Sequence, residues 1–138
     1  MSGLVPQHLI DRELVARLGF AEYARRAWPH VEKVPLVWGW HLDALAEHIE
    51  AVAKRQIRDL VINLPPGLSK SRFVSVLGPT WVWTWDPGRR FMCASYSRQI
   101  VLRDARAHRT LVEGEWYRAR WPGVEIPSGG ETSTAAAL

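Results

Sequence analysis

Leu60-Val61-Ile62-Asn63-Leu64-Pro65-Pro66-Gly67-Leu68-Ser69-Lys70-Ser71 is the stretch on which the reading of this chain turns. Its first five residues form a short, β-branched, nearly continuous apolar run bounded by Asp59 and a proline pair, and they predict a buried strand of a parallel sheet. Pro65 to Lys70 predicts a loop. From Ser71 onward, Phe73, Val74, Val76 and Leu77 predict a helix to about Trp83, kinked or broken by Pro79. Holding a phosphate chain with Mg2+ requires consecutive backbone N–H groups at a helix N-terminus, a lysine and a hydroxyl. Gly67 through Ser71 offer the amides, Lys70 the charge and Ser71 the hydroxyl. The pattern G-x-x-x-x-G-K-[ST] is broken twice, because Leu64 and Ser69 stand at its two glycines. Taken alone, the motif equally fits a solvated lysine after a proline-rich turn.

The flanking segments favour the first reading. Asp86-Pro87-Gly88 is a turn signal, Arg90 to Ser95 predicts a second short strand, and Ser97 suits the cap of a helix from about Arg98 to Glu113. Two apolar strands joined by a helix-length connection form a βαβ unit with a right-handed crossover. The expected fold is therefore α/β, a parallel sheet with flanking helices. With two readable strands both sheet edges stay open, so the sheet reads as incomplete. Upstream, Trp40 or His41 opens a helix that carries Leu42, Leu45, Ala46, Ile49, Val52 and Ala53 on one face. Leu9 to Ala27 predicts one or two short amphipathic helices stopped by Pro29, and Pro122 to Leu138 has loop composition.

The 138 residues suit about one domain, and 47 % apolar with 23 % charged residues excludes a disordered chain or a fibre. A net charge of +4 biases the chain mildly toward polyanions. The single cysteine, Cys93, excludes an internal disulfide framework and a Cys-rich zinc site. Met1 to Phe20 lacks the apolar core of a secretory signal, and the longest uncharged run, Phe73 to Trp85, is shorter than the roughly 20 residues of a membrane span. Neither export nor membrane insertion is expected. The five histidines show no metal-binding spacing.

In order, Pro35, Trp40-His41, the loop through Lys70-Ser71, Pro79-Thr80-Trp81, Asp86-Pro87-Gly88, Ala94-Ser95-Tyr96 and Trp116-Tyr117 to Trp121 resemble the ATPase part of the large terminase subunits of tailed bacteriophages, motors that package DNA into capsids. Many members carry an altered phosphate loop of the form Pro-Pro, three variable residues, Lys-Ser. The resemblance implies a RecA-like P-loop NTPase fold and ATP and Mg2+ as cofactors. It implies Pro66, Gly67, Leu68, Ser69, Lys70 and Ser71 as the phosphate site, with Ser71 on the metal, and Trp40 and His41 near the nucleotide base. It further implies double-stranded DNA, a small terminase subunit and a portal as partners, no membrane, and the cytoplasm of a bacterial host. Gly67 stands where many relatives carry an arginine, which leaves Arg72, Arg89 and Arg90 as candidate catalytic arginines.

Hydrolysis in this class also needs an apolar strand ending in Asp and Glu to hold Mg2+ and activate water. No such strand is readable. Asp86 suits a turn, and Glu113 and Glu115 sit at a helix end. The expectation is an N-terminal helical segment over 1–34, the front part of an ATPase domain over 35–122 and a loop-like tail over 123–138, truncated before its carboxylates and inactive alone. The alternatives are another P-loop ATPase of helicase type, or a non-enzymatic basic module binding DNA or a partner. For the latter, Arg98, Arg103, Arg106 and Arg109 share one arc of the predicted helix opposite Ile100, Val101, Ala105, His108, Leu111 and Val112. Asp104 falls out of place on the apolar side, where it can pair with His108. The tryptophans at 81, 83 and 85 suit core packing.

Overall fold

The computed structural model describes residues 3–126, and the expected tail from Pro127 onward lies outside them. Glycine sets the first junction. α1 (Gln7–Leu18) ends and α2 (Phe20–Ala27) begins at Gly19, whose φ of 82° is left-handed and whose N–H donates to the Val15 carbonyl. A Cβ there would come within 2.3 Å of a Glu50 carboxylate oxygen, the movable end of its side chain, so it is the left-handed conformation that requires glycine. α2 buries Phe20, Tyr23, Ala24 and Ala27 on one stripe, the i, i+3, i+4, i+7 pattern of a core-facing helix. Pro29 then draws the chain into a 3-10 turn, Trp28–His30.

α3 (Trp40–Ala53) buries Leu42, Leu45, Ala46, Ile49 and Ala53, and Val52 lies at its margin. The next helical run occupies residues 70–83 and is not broken by Pro79. It widens into a π-helical segment, Arg72–Leu77, in which the Gly78 N–H reaches back five residues to the Phe73 carbonyl, and continues as α4 (Gly78–Trp83). That insertion takes up the strain a proline otherwise puts on an α-helix. α5 (Arg98–Glu113) and α6 (Glu115–Arg120) follow, separated at Gly114.

One core runs from Val15 to Trp121. Phe73 is fully buried, edge-on to Phe20 at 5.8 Å between ring centroids, and Phe20 also meets Trp81 at 5.5 Å. Fully burying such a side chain stabilises by about 1.5–3 kcal/mol. Thr80, also fully buried, ties three elements: the Tyr23 hydroxyl donates to its Oγ1, its own hydroxyl bonds the Val76 carbonyl, and the Tyr117 hydroxyl donates to its backbone oxygen. Burial pushes both phenols well above their ordinary pKa. Asp11 is buried too, and it is satisfied by Gln7, Arg26 and Arg120, which joins α1 to α2 and α6. Burial pushes its carboxyl up, but hydrogen bonds from Arg120 and Gln7 and the charges of Arg120 and Arg26 outweigh this and hold it below the ordinary value.

The α/β expectation is overturned: 59 % of the described residues are helical, none belongs to a strand, and there is no sheet. Both predicted strands are extended chain without a ladder. Leu60, Ile62 and Leu64 are half-buried while Val61 and Asn63 point outward, so residues 60–64 keep the alternation of a strand. A parallel strand, however, needs neighbours for its backbone and cover on both faces. Val61 is 83 % exposed, and in the second segment Met92 is 90 % and Tyr96 97 % exposed. The incomplete P-loop sheet, with its RecA-like topology, is therefore not the architecture of these residues.

Candidate functional site

The loop between Leu64 and the helix at residue 70 is shaped by backbone constraints. Pro65 and Pro66 have no N–H to donate, Gly67 sits at φ 86° and Ser69 at φ 63°. Nothing lies within 4 Å of a Cβ built at Gly67, so glycine is required there for its conformation alone. A non-glycine residue in the left-handed region is uncommon; Ser69 is one, and Arg55, after α3, is another. Two left-handed residues flank Leu68, the first of them in the turn at 66–67, so the direction of successive amides changes along the loop. The helix closes on the loop where the Phe73 N–H donates to the Ser69 carbonyl at 3.1 Å. Pro66, Gly67 and Ser71 are exposed; Leu68, Ser69 and Lys70 are half-buried.

The aromatic segment before α3 comes to the same end of the molecule. The Trp38 ring packs on Phe73 at 5.8 Å, its Nε1 donates to Asp43, and the Arg25 guanidinium lies 3.9 Å above it. Trp40 is 82 % exposed and stands edge-on to His41. Arg25, Trp28, Glu32, Lys33, Pro35 and Trp38 line an open cavity of about 650 Å3 here, and neither the loop 65–71 nor Trp40 and His41 line it. Trp38, which the sequence reading passed over in favour of Trp40-His41, is the aromatic residue that joins this segment to the helix after the loop. A larger cavity, about 730 Å3, is lined by Glu50, Lys54, Trp81 and Trp85. It lies toward the far end of α3, which at a rise of about 1.5 Å per residue is roughly 20 Å long.

Two of the three candidate catalytic arginines already have structural partners. Arg72 Nε pairs with Glu32 at 2.5 Å, and its Nη1 lies 3.6 Å from Asp104. Arg89 pairs with Asp86, donates to the Ala53 carbonyl and leans over Trp85 at 5.0 Å. Arg90 is exposed. Asp86 accepts from the Arg89 N–H through its backbone carbonyl, the turn role expected of it. Asp104 engages Arg103 and Arg72, not His108 as a hydrogen-bond partner. Burial lowers the pKa of His108, with the Ser75 backbone and Asp104 pulling the other way. On α5, Arg98, Arg103 and Arg106 are exposed, while Arg109 pairs with Glu113.

No helix of the described residues is long and apolar enough to cross a membrane. Models of known protein families, characterised proteins and solved structures were compared with the chain, and none matches.

Proposed function

We propose that the loop from Pro66 to Ser71 binds the phosphate chain of ATP with Mg2+, and that the chain serves a DNA-packaging ATPase of the large terminase type. The observation that carries the reading is the pair of left-handed residues, Gly67 and Ser69, directly ahead of a helix that starts at Lys70. Amides turned by such a backbone attract anions, and the start of a helix adds its dipole. Lys70 then faces phosphate oxygens, and the exposed Ser71 hydroxyl serves as a ligand to Mg2+ arriving with the nucleotide. The base lies toward Trp38, Trp40 and His41, an arrangement supported by the packing of Trp38 on Phe73. In this reading the protein acts in the bacterial cytoplasm, beside a small terminase subunit and a portal.

Calorimetric titration with Mg-ATP tests it. Saturable binding is expected, weakened at least about tenfold by Lys70→Ala, since a lost charge-assisted contact of about 1.5–3 kcal/mol corresponds to that factor or more. Absence of binding at millimolar ATP by the folded chain overturns the reading. A second reading, contact with duplex DNA through α5, is favoured by the exposed Arg98, Arg103 and Arg106. Few phosphate contacts make such binding weak and salt-sensitive, and titration of a labelled duplex at two salt concentrations checks this.

A further inference from the structure

Residues 66–67 form a local turn, and between Leu64 and Leu68 no backbone hydrogen bond reaches another part of the described residues; the first that ties the loop to the helix is the one from Phe73 to Ser69. Two prolines and two left-handed residues limit its shape but do not anchor it. Its anchors are therefore at the ends. On one side Ile62 and Leu64 lean on the core. On the other, Arg72, the residue after Ser71, is held by carboxylates from two separate parts of the chain. Glu32 follows the 3-10 turn and meets Arg72 Nε at 2.5 Å; Asp104, from α5, faces Nη1 at 3.6 Å. Asp104 is 6 % exposed and also accepts from Arg103 Nε and Nη2 at 3.1 and 3.0 Å. At 3.6 Å the contact with Arg72 is an ion pair without a hydrogen bond, and Arg72 Nη1 is buried with no other partner. Its charge is thus matched through space by Asp104.

We propose that Glu32 and Asp104 are positioning residues for the phosphate loop: by holding Arg72 from both sides they fix the first turn after the loop, and with it the direction of the Gly67 to Ser71 amides. The same arrangement sets the charge of the site. Arg72 is neutralised by its two carboxylates, whereas Lys70 enters none of the ion pairs among the described residues. Lys70 is therefore a cation open to an incoming anion, as are Arg25 and Lys33 beside the neighbouring cavity, which also enter none of these pairs. Holding the amides in place beforehand reduces the ordering that binding would otherwise have to supply. The proposal rests on the nucleotide reading for what the loop binds, but not for whether the loop is held.

Backbone relaxation by NMR on the intact chain separates the two. In the wild type, the order parameters of Gly67 to Ser71 are expected near the rigid value of about 0.85, and in Asp104→Asn they fall below about 0.6, with α2 unchanged. Glu32→Gln, which alters a more exposed partner, is expected to shift the same amides in the same direction and decides the matter if Asp104→Asn fails to fold. Mg-ATP affinity falls about tenfold in either variant, while affinity for AMP changes less than twofold. A loop equally ordered in wild type and in the folded variant overturns the positioning role, as does a loop already flexible in the wild type. A wild-type chain that has an ordered loop, loses that order in the variants and yet binds no ATP overturns the nucleotide reading and upholds the positioning.

Discussion

The run 60–64 and the helical run 70–83 are separated by five residues, and the first is the more apolar, yet it remains partly uncovered while the other forms the centre of the core. Phe73, Val76 and Leu77 are fully buried, while Val61 is 83 % exposed. The difference lies in the backbone. A helix satisfies its own N–H and C=O groups and needs only side-chain cover, whereas an extended run must find a neighbour for its main chain before its side chains can be enclosed. Among the described residues neither 60–64 nor 91–95 has one. Apolar composition is thus enough to place a helix in this core and not enough to place a strand.

The strongest way to break this comparison is to cut into the helical side. Phe73→Ala removes a ring packed on Phe20, Trp28 and Trp38 and is expected to cost about 3–5 kcal/mol, read by urea unfolding. A loss below about 1 kcal/mol would mean that the core is no better closed than the extended segments. Asp11→Ala leaves Arg26 and Arg120 without their shared carboxylate and should cost about 3 kcal/mol.

The same site gives a pH dependence. Because the folded pKa of Asp11 is depressed, its contribution is present above the unfolded value near 3.9 and is lost as pH falls through the lower folded one. His30 and His108 also have lowered values: burial disfavours their charged forms, and Arg120 adds to this at His30. The unfolded chain therefore takes up protons first, and stability should already decline as pH drops below about 6.5. Melting curves between pH 8 and 3 check both steps, and a flat profile down to pH 4 would remove the histidine contribution.

Smaller effects sharpen the contrast. Gly67→Ala meets open space but must hold a left-handed φ, at a cost of about 1–2 kcal/mol by chemical denaturation. Val61→Ser and Met92→Ser should each change stability by less than about 0.5 kcal/mol, because both side chains already face solvent. A clear destabilisation in either would reveal cover over the extended segments.

Where periodicity and local chemistry coincide, the sequence was a good guide. α3 and α5 run where the apolar spacing puts them, and α5 has the bounds Arg98–Glu113 that were expected. Ser97 begins α5 without making a side-chain cap. The sheet was misread because a β-branched run states a dihedral preference and says nothing about a pairing partner. Pro79 was misread because a π-helical turn is a backbone adjustment with no simple periodicity. At the candidate site, the φ values of Gly67 and Ser69 agree with a loop that reorients its amides, but the ties on Arg72 were not readable, since Glu32 and Asp104 lie forty and thirty-two positions away. One trace was present: an aspartate on the apolar arc of α5 needs a cationic partner, and the half-buried Arg72 and the exposed Arg103 are those partners.

The Asp11–Arg120 pair spans 109 positions of chain. At a synthesis rate of about 5–20 residues per second, α1 therefore waits roughly 5–20 s after it is made before the arginine of α6 exists. During that interval Asp11 has Gln7 and Arg26 within reach, and α1 and α2 can dock on each other while the face that later receives α6 stays open. On a ribosome, the order of events is thus set by one carboxylate that is half satisfied early and completed only once residue 120 has been made.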